Sequence, residues 1–177
     1  MAECLLTTGF AGLGCPPATP GGRNYIYLAN LTEIDTWTPG TAGIYTNFTM
    51  VATEVIYKVE ISKDTLDARD SLQGGDQDLG SYDQEVEFVI KSMSVAARNA
   101  VNSMNGPNMV AFVPTKNGEV FIMGKDIGMK MVTNDATLLG DSYGETVILK
   151  ATQMPGKREF LDAGTMDTTI ALLEAKL

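Results

Sequence analysis

The chain has 177 residues and 19.0 kDa, with 13 Lys and Arg against 22 Asp and Glu, a formal charge of −9 and a pI near 4.4. A chain of this length is one domain's worth and can bury a core without metal or disulfides, and it has no apolar run of the roughly 18 residues needed to span a bilayer. It contains no histidine, which excludes Ser-His-Asp and Cys-His nucleophile pairs, imidazole acids and bases, and His-containing zinc sites. The acidic balance also argues against gripping nucleic acid, because that affinity comes from Lys and Arg displacing counterions from phosphates.

Cys4 and Cys15 are the two cysteines, too few for a disulfide framework or a structural zinc site; reduced thiols are favoured over a local disulfide or a reactive group. The N-terminus MAECLLTTGFAGLG has no basic region and carries Glu3 ahead of its short apolar run, so it does not read as a signal peptide, and assembly in a cytoplasm is expected. The Gly/Pro-rich stretch from Gly9 to Gly22 reads as an irregular arm. A first strand follows at Asn24 to Ala29, rich in aromatic and branched residues. Between residues 30 and 53, strand pieces around Trp37 and Ile44-Tyr45 mix with Pro39, Gly40 and Gly43, and no boundary is legible.

From Glu54 to Ser62 the pattern turns to period two: Val55, Tyr57, Val59 and Ile61 share one parity, and Glu54, Lys58, Glu60 and Ser62 the other, which predicts a half-buried strand. Residues 63–80 are polar and hold Asp64, Asp67, Asp70, Asp76 and Asp78 with Gly74, Gly75 and Gly80, the composition of a long exposed loop. Alternation resumes from Tyr82 to Ile90, with Tyr82, Val86, Phe88 and Ile90 on one side and Asp83, Glu85 and Glu87 on the other. Ser92 is placed to cap a helix running to about Met104, with Met93, Ala97, Ala100, Val101 and Met104 at helical spacing and Asn105-Gly106-Pro107 to end it.

Met109 to Val113 and Val120 to Met123 flank Lys116-Asn117-Gly118-Glu119, whose Asn-Gly pair supplies the positive φ angles of a tight hairpin. Further strands are expected at Met129 to Thr133 and Glu145 to Gln153, and the apolar stretch Thr168 to Leu177 suits a short helix or an added strand. About seven strands, one central helix and one long acidic loop predict a mainly β (α+β) fold, an antiparallel two-sheet β-sandwich or barrel with one flanking α-helix. The domain division is an arm at 1–23, the sandwich at 24–161 and a C-terminal extension at 162–177.

Several local motifs have bland readings. Gly9-Phe10-Ala11-Gly12-Leu13-Gly14 neither follows a convincing strand nor opens a helix, so it is not a phosphate loop. Asp76-Gln77-Asp78 lacks the remaining ligands of a calcium loop. The glycosylation triplets at Asn30 and Asn47 have no secretion signal beside them. Glu85 and Glu87 share a strand face, but a solvated face outweighs acid/base work there. No metal or cofactor is expected.

The stretch NGEVFIMGKDIGMKM, Asn117 to Met131, and the stretch Leu138 to Leu161 combine a hairpin, a glycine-bracketed turn at Gly124 to Gly128, a strand, a turn at Gly140-Asp141-Ser142-Tyr143-Gly144 and a long strand. In order and spacing of turns this resembles the tail tube protein of long-tailed bacteriophages, over Tyr82 to Leu161 and back to Asn24. The resemblance implies a two-sheet sandwich with a flanking helix and a non-enzymatic virion protein whose six copies form a ring. Rings would stack into a tube that conducts DNA, with tail terminator, baseplate and sheath or tape-measure proteins as partners and no membrane insertion by this chain. The same fold also serves related tail components such as a terminator or an injection-machine tube, and a partner- or carbohydrate-binding sandwich is the alternative from another class. The resemblance further implies a long hairpin loop reaching the next ring, for which Ser62 to Ser81 is the candidate, with Asp64, Asp67, Asp70, Gly74, Gly75, Asp76 and Asp78 in it. It does not account for the arm with Cys4 and Cys15.

A conduit for a polyanion must repel phosphate or stay neutral. Six copies at −9 each carry −54 per ring, but salt confines such fields to about 8–10 Å, so only carboxylates facing the channel count. The expected lumen residues are Glu54, Glu60, Asp83, Glu85 and Glu87, on the polar faces of two successive strands.

Overall fold

The computed structural model describes residues 24–41, 43–73, 80–92, 94–116, 118–138 and 143–177. Two sheets face each other. The large sheet has seven strands, β1 (Tyr25–Asn30), β2 (Ile34–Pro39), β3 (Ile44–Met50), β4 (Tyr57–Glu60), β7 (Met109–Pro114), β8 (Val120–Met123) and β11 (Glu159–Leu161), in the order β2-β3-β11-β8-β7-β1-β4. The small sheet has four, β5 (Asp67–Gln73), β6 (Ser81–Ile90), β9 (Lys130–Thr137) and β10 (Gly144–Met154), in the order β5-β6-β10-β9. All neighbours are antiparallel except β11 and β3. The mainly β two-sheet sandwich expected from sequence is what forms.

The core between the sheets is built from Ile26 and Leu28 of β1, Ala111 and Val113 of β7, Val86, Phe88 and Ile90 of β6, and Val147 and Leu149 of β10. Helix α1 (Val95–Ser103) adds Val101, with Met104 just beyond it. The opposite parity of β1 and β7, Tyr27, Ala29, Val110 and Phe112, is buried as well, because helix α2 (Met166–Glu174) lays Ile170 and Leu173 on that outer face. A strand covered on both sides needs apolar residues at every position, which is why these two strands read as continuous apolar runs. Each large apolar side chain fully buried this way contributes about 1.5–3 kcal/mol.

The structure corrects several sequence expectations. There are eleven strands and two α-helices among the described residues, where about seven and one were expected. Residues 63–80 are not one loop: β5 runs through them and pairs with β6 along its whole length, from Asp67 opposite Glu87 to Gln73 opposite Ser81. The strand is hidden in sequence because one of its inward positions is the carboxylate Asp70. The helix cap is Ser94, whose hydroxyl accepts from the Ala97 amide at 3.1 Å; Ser92 lies two residues too early. The strand expected from Glu54 is shorter, and Ile56 of the supposedly polar parity is buried, because that parity lies on the side of the second cluster, where the Ile56 amide also bonds to the Lys176 carbonyl (2.9 Å). The tail forms a helix, capped by Thr165 and Thr168.

The hairpin between β7 and β8 forms as expected, closed by bonds between Thr115 and Glu119, with Gly118 at φ +88°. The turn from Gly124 to Gly128 then carries the chain from the large sheet to the small one. Both glycines have positive φ, and a Cβ on Gly124 would lie 2.9 Å from the Met129 amide nitrogen, while one on Gly128 would meet the Asn108 Cβ at 2.6 Å. No side chain fits there without moving backbone.

Candidate functional site

Residues paired across a sheet share a face. In the small sheet the pairs Asp67 with Glu87, Arg69 with Glu85 and Ser71 with Asp83 place these side chains together, pointing away from the core. The same face continues across β10, where Ile148 lies opposite Glu87 and Lys150 opposite Glu85, and onto β9 with Asp135 and Lys130. Among the described residues no element covers it.

The carboxylates on this face are not alone. Arg69 reaches Asp67 at 2.8 Å, Glu87 at 3.3 Å and Glu85 at 3.4 Å, and Lys150 reaches Asp83 at 3.4 Å. Five acids, Asp67, Asp83, Glu85, Glu87 and Asp135, stand against three bases, Arg69, Lys130 and Lys150, so this face carries −2 of the chain's −9. Sequence reasoning missed Arg69 and Lys150 because, apart from Asp67 on the same strand as Arg69, their partners Glu85, Glu87 and Asp83 lie on the neighbouring strand β6, which no one-dimensional pattern displays.

The five expected lumen acids do not form one wall within a subunit. Asp83, Glu85 and Glu87 share the outer face of the small sheet, whereas Glu60 lies opposite Tyr25 in the large sheet, on the face that α2 covers in part. Glu54 lies in the turn before β4, beside Glu33. Glu33 is only 5% exposed, and burial is the main cause that raises its pKa, with the Glu54 carboxyl adding to it against an opposing hydrogen bond from Asn30. Burial, then Glu33 and Glu54, raise the Tyr57 hydroxyl likewise.

The expected loop residues also separate. Asp64 is exposed and paired with Lys116 at 2.8 Å, a hydrogen bond that lowers its pKa. Asp70 points inward, its side chain 4% exposed, and accepts from the Arg158 amide (3.0 Å) and guanidinium (3.3 Å). It is therefore an internal tie between the edge of the small sheet and the segment entering β11. Gly74, Gly75, Asp76 and Asp78 lie outside the described residues, as do Asn117, Gly140, Asp141 and residues 1–23 with both cysteines. A buried polar group that the sequence pattern passed over is Gln84, whose Oε1 accepts the Gly124 amide at 2.7 Å and so fixes the crossover turn against the small sheet.

Both edges of the small sheet are open among the described residues: nothing pairs with the outer side of β5 or of β9. Both edge strands carry exposed apolar residues, Leu72 at 61% and Val132 at 58%. Long strands with free edges and exposed apolar side chains are templates for pairing with another chain. No family model, curated protein or solved structure matches the chain.

Proposed function

We propose that this chain is a structural, non-catalytic virion protein, assembled in a host cytoplasm, whose six copies close into a ring and whose rings stack into a bacteriophage tail tube that conducts DNA. The observation that supports it most is the small sheet: four strands whose two edges are free among the described residues, and an outer face that is polar, uncovered among those residues and weakly acidic. Edge-to-edge pairing of β5 with β9 of the next copy is a heterologous contact that generates a ring when the rotation closes. Six four-stranded sheets make a 24-stranded barrel, and at about 4.8 Å between strands and a tilt of about 40° its backbone radius is about 24 Å. Barrels of 16–18 strands already enclose an aqueous channel.

The small sheet's outer face would line that channel, and its ion pairs set the wall charge near −2 per copy, or −12 for six. On such a wall Arg69 and Lys150 are held by carboxylates of the same face, and Lys130 is the one base of that face with no ion pair among the described residues, so cations available to phosphate are few and the net field is small. Asp83, Glu85 and Glu87 are the lumen carboxylates on this reading; Glu54 and Glu60 are not. The tip joining β5 to β6 would be the contact to the next ring, and terminator and baseplate proteins would meet the tube's two ends.

Negative-stain microscopy of the purified protein tests the assembly. Hollow tubes or stacked rings are expected; a monomer at high concentration overturns the proposal, and isolated rings reassign the chain to a terminator-like component. Replacing residues 74–79 by Asn-Gly shortens the tip while keeping the β5–β6 ladder, and is expected to leave rings that no longer stack. The Glu85→Lys/Glu87→Lys pair is expected to assemble but to impede DNA delivery.

A further inference from the structure

We propose that copies of this chain join in one specific strand register, with Leu72 on the β5 edge of one copy directly opposite Val132 on the β9 edge of the next. This inference rests on the ring proposed above and goes beyond it by fixing which residues meet.

Backbone direction and hydrogen-bonding phase limit the choices first. The small sheet is antiparallel at each of its junctions, β5 with β6, β6 with β10 and β10 with β9, so β9 runs opposite to β5. A rotation that carries one copy onto the next therefore joins the two edges antiparallel. The Val89 carbonyl accepts the Ser62 amide (2.7 Å) and the Val89 amide donates to the Thr65 hydroxyl (3.2 Å), so both backbone groups of Val89 point to the β5 side. Backbone groups alternate sides along a strand. Glu87, Glu85 and Asp83 thus turn toward β5, and their partners Asp67, Arg69 and Ser71 turn toward them. Ala68, Asp70 and Leu72 are left with amides and carbonyls aimed at the free edge. Carried across the other two ladders, the same alternation turns Thr133, Asp135 and Thr137 toward β10, and Asn134 and Ala136 toward the opposite free edge. Even-numbered residues of β5 consequently pair with even-numbered residues of β9, and both sets also lie on the core-facing side of the sheet.

The registers that remain differ by steps of two residues, and the side chains choose among them. With Leu72 opposite Val132, two exposed apolar side chains cover each other, and Leu138, exposed beyond the end of β9, comes opposite Leu66. The same register sets Arg69 against Asp135, which has no ion pair among the described residues. Val132 is the residue skipped where Ile148 and Leu149 pair with Thr133 and Met131, and this bulge ends the regular stretch. A slip of two residues one way sets Asp67 against Asp135. The opposite slip leaves Leu72 against Asn134 and Arg69 against Thr137. Apolar and opposite-charge pairs directly across two strands are favourable, and like charges there are not.

Ser71 and Thr133 are non-hydrogen-bonded partners in this register, with Cα atoms about 4.5 Å apart, within disulfide reach. Within one subunit they stand on opposite edges, three strand spacings or about 14 Å apart, so a disulfide between them forms only between copies. In a Cys4→Ser/Cys15→Ser background, assembled Ser71→Cys/Thr133→Cys protein is expected, on mild oxidation, to give a ladder of covalent oligomers up to the hexamer on non-reducing gels. It should form about tenfold faster than with Gln73→Cys/Thr133→Cys or Asp67→Cys/Asp135→Cys, which report the two slipped registers. The last pair also removes the repulsion that opposes its own register, which makes it the stricter control. Leu72 and Val132 are exposed in the subunit, so their variants test the contact without disturbing the core. Leu72→Glu and Val132→Lys are each expected to raise the protein concentration needed for assembly about tenfold, and the double variant to recover most of that loss. Rings or tubes that cross-link fastest at a slipped pair, or losses that simply add in the double variant, overturn the register and leave the tube reading standing. A parent protein that stays monomeric by light scattering overturns both. Should the cysteine variants fail to assemble, the recovery in the Leu72→Glu/Val132→Lys protein decides alone.

Discussion

The two outer faces of the sandwich are made by the same kind of element and treated in opposite ways. The large sheet's outer face carries Tyr27, Phe48, Val110, Phe112 and Ile122, and α2 covers part of it within the subunit. The small sheet's outer face carries ion pairs around Arg69 and Lys150 and is left bare among the described residues. A face whose apolar area is covered intramolecularly has no need of a partner. A bare polar face bordered by two free edges can take part in an assembly without itself being the adhesive, since the edges join and the face remains wet. That division of labour is the physical basis of the proposed tube.

Matched truncations on the two faces test this contrast most strongly. Phe112 is fully buried and stacked on Phe48 at 4.9 Å between ring centroids, so Phe112→Ala is expected to cost about 3–5 kcal/mol in urea unfolding. Leu173→Ala, in the covering helix, falls in the range of about 2–5 kcal/mol. Glu85→Ala on the bare face should stay within about 1 kcal/mol. Comparable losses at Glu85 and Phe112 would mean that the small sheet's outer face is as integral to the fold as the large one's, and the contrast would fail.

A smaller effect is expected where the two sheets are tied together. Gln84→Ala leaves the Gly124 amide buried without its acceptor, at a cost of about 1–3 kcal/mol. Hydrogen exchange sharpens the result: the Gly124 amide should lose protection while the β5–β6 ladder keeps its own. An unchanged midpoint in urea would show that the turn is held by its glycine geometry alone.

How much of this was legible in sequence differs between the faces for the same reason. The β6 register could be read because Val86, Phe88 and Ile90 alternate with Glu85 and Glu87, a period that survives when one side faces water. The strand β5 could not, because Asp70 occupies an inward position and is satisfied by Arg158, a residue distant in sequence. Residues 30–53 were opaque because Trp37, Tyr45 and Phe48 form one aromatic cluster across β2 and β3 rather than an alternation along either. The acids of the candidate wall were visible; their counterions were not, and the counterions lower the wall's charge to −2 per copy.

Acidity separates the faces further. Glu33, at the corner between β1 and β2, has its pKa raised from the ordinary 4.5, first by burial and then by Glu54. The folded state therefore holds this proton more tightly than the unfolded chain. The stability it contributes is fully present below about pH 4.5 and is lost as the pH rises through the raised folded value. Thermal scans from pH 4 to 8 should show this component disappearing in Glu33→Gln, with the variant gaining on the parent toward neutral pH. A parallel pair of profiles would remove Glu33 from the account. Asp64, paired with Lys116, shifts in the opposite direction and opposes this trend as the pH falls.

The smallest expected change in stability, and the most discriminating for assembly, comes from Arg69. It is exposed, so Arg69→Gln should leave the Tm unchanged, yet it removes the cation shared by Asp67, Glu85 and Glu87. The face then goes from −2 to −3 per copy, and a ring of six from −12 to −18, concentrated on one wall. Like charges that the parent holds near balance would now repel across the strand edges. Assembly of the variant should accordingly require more salt, because screening shortens the field to about 8 Å at 0.15 M ionic strength. Identical salt dependence for parent and variant would place the small sheet's outer face away from any contact between copies, whereas a shift confined to the variant ties that face to the ring.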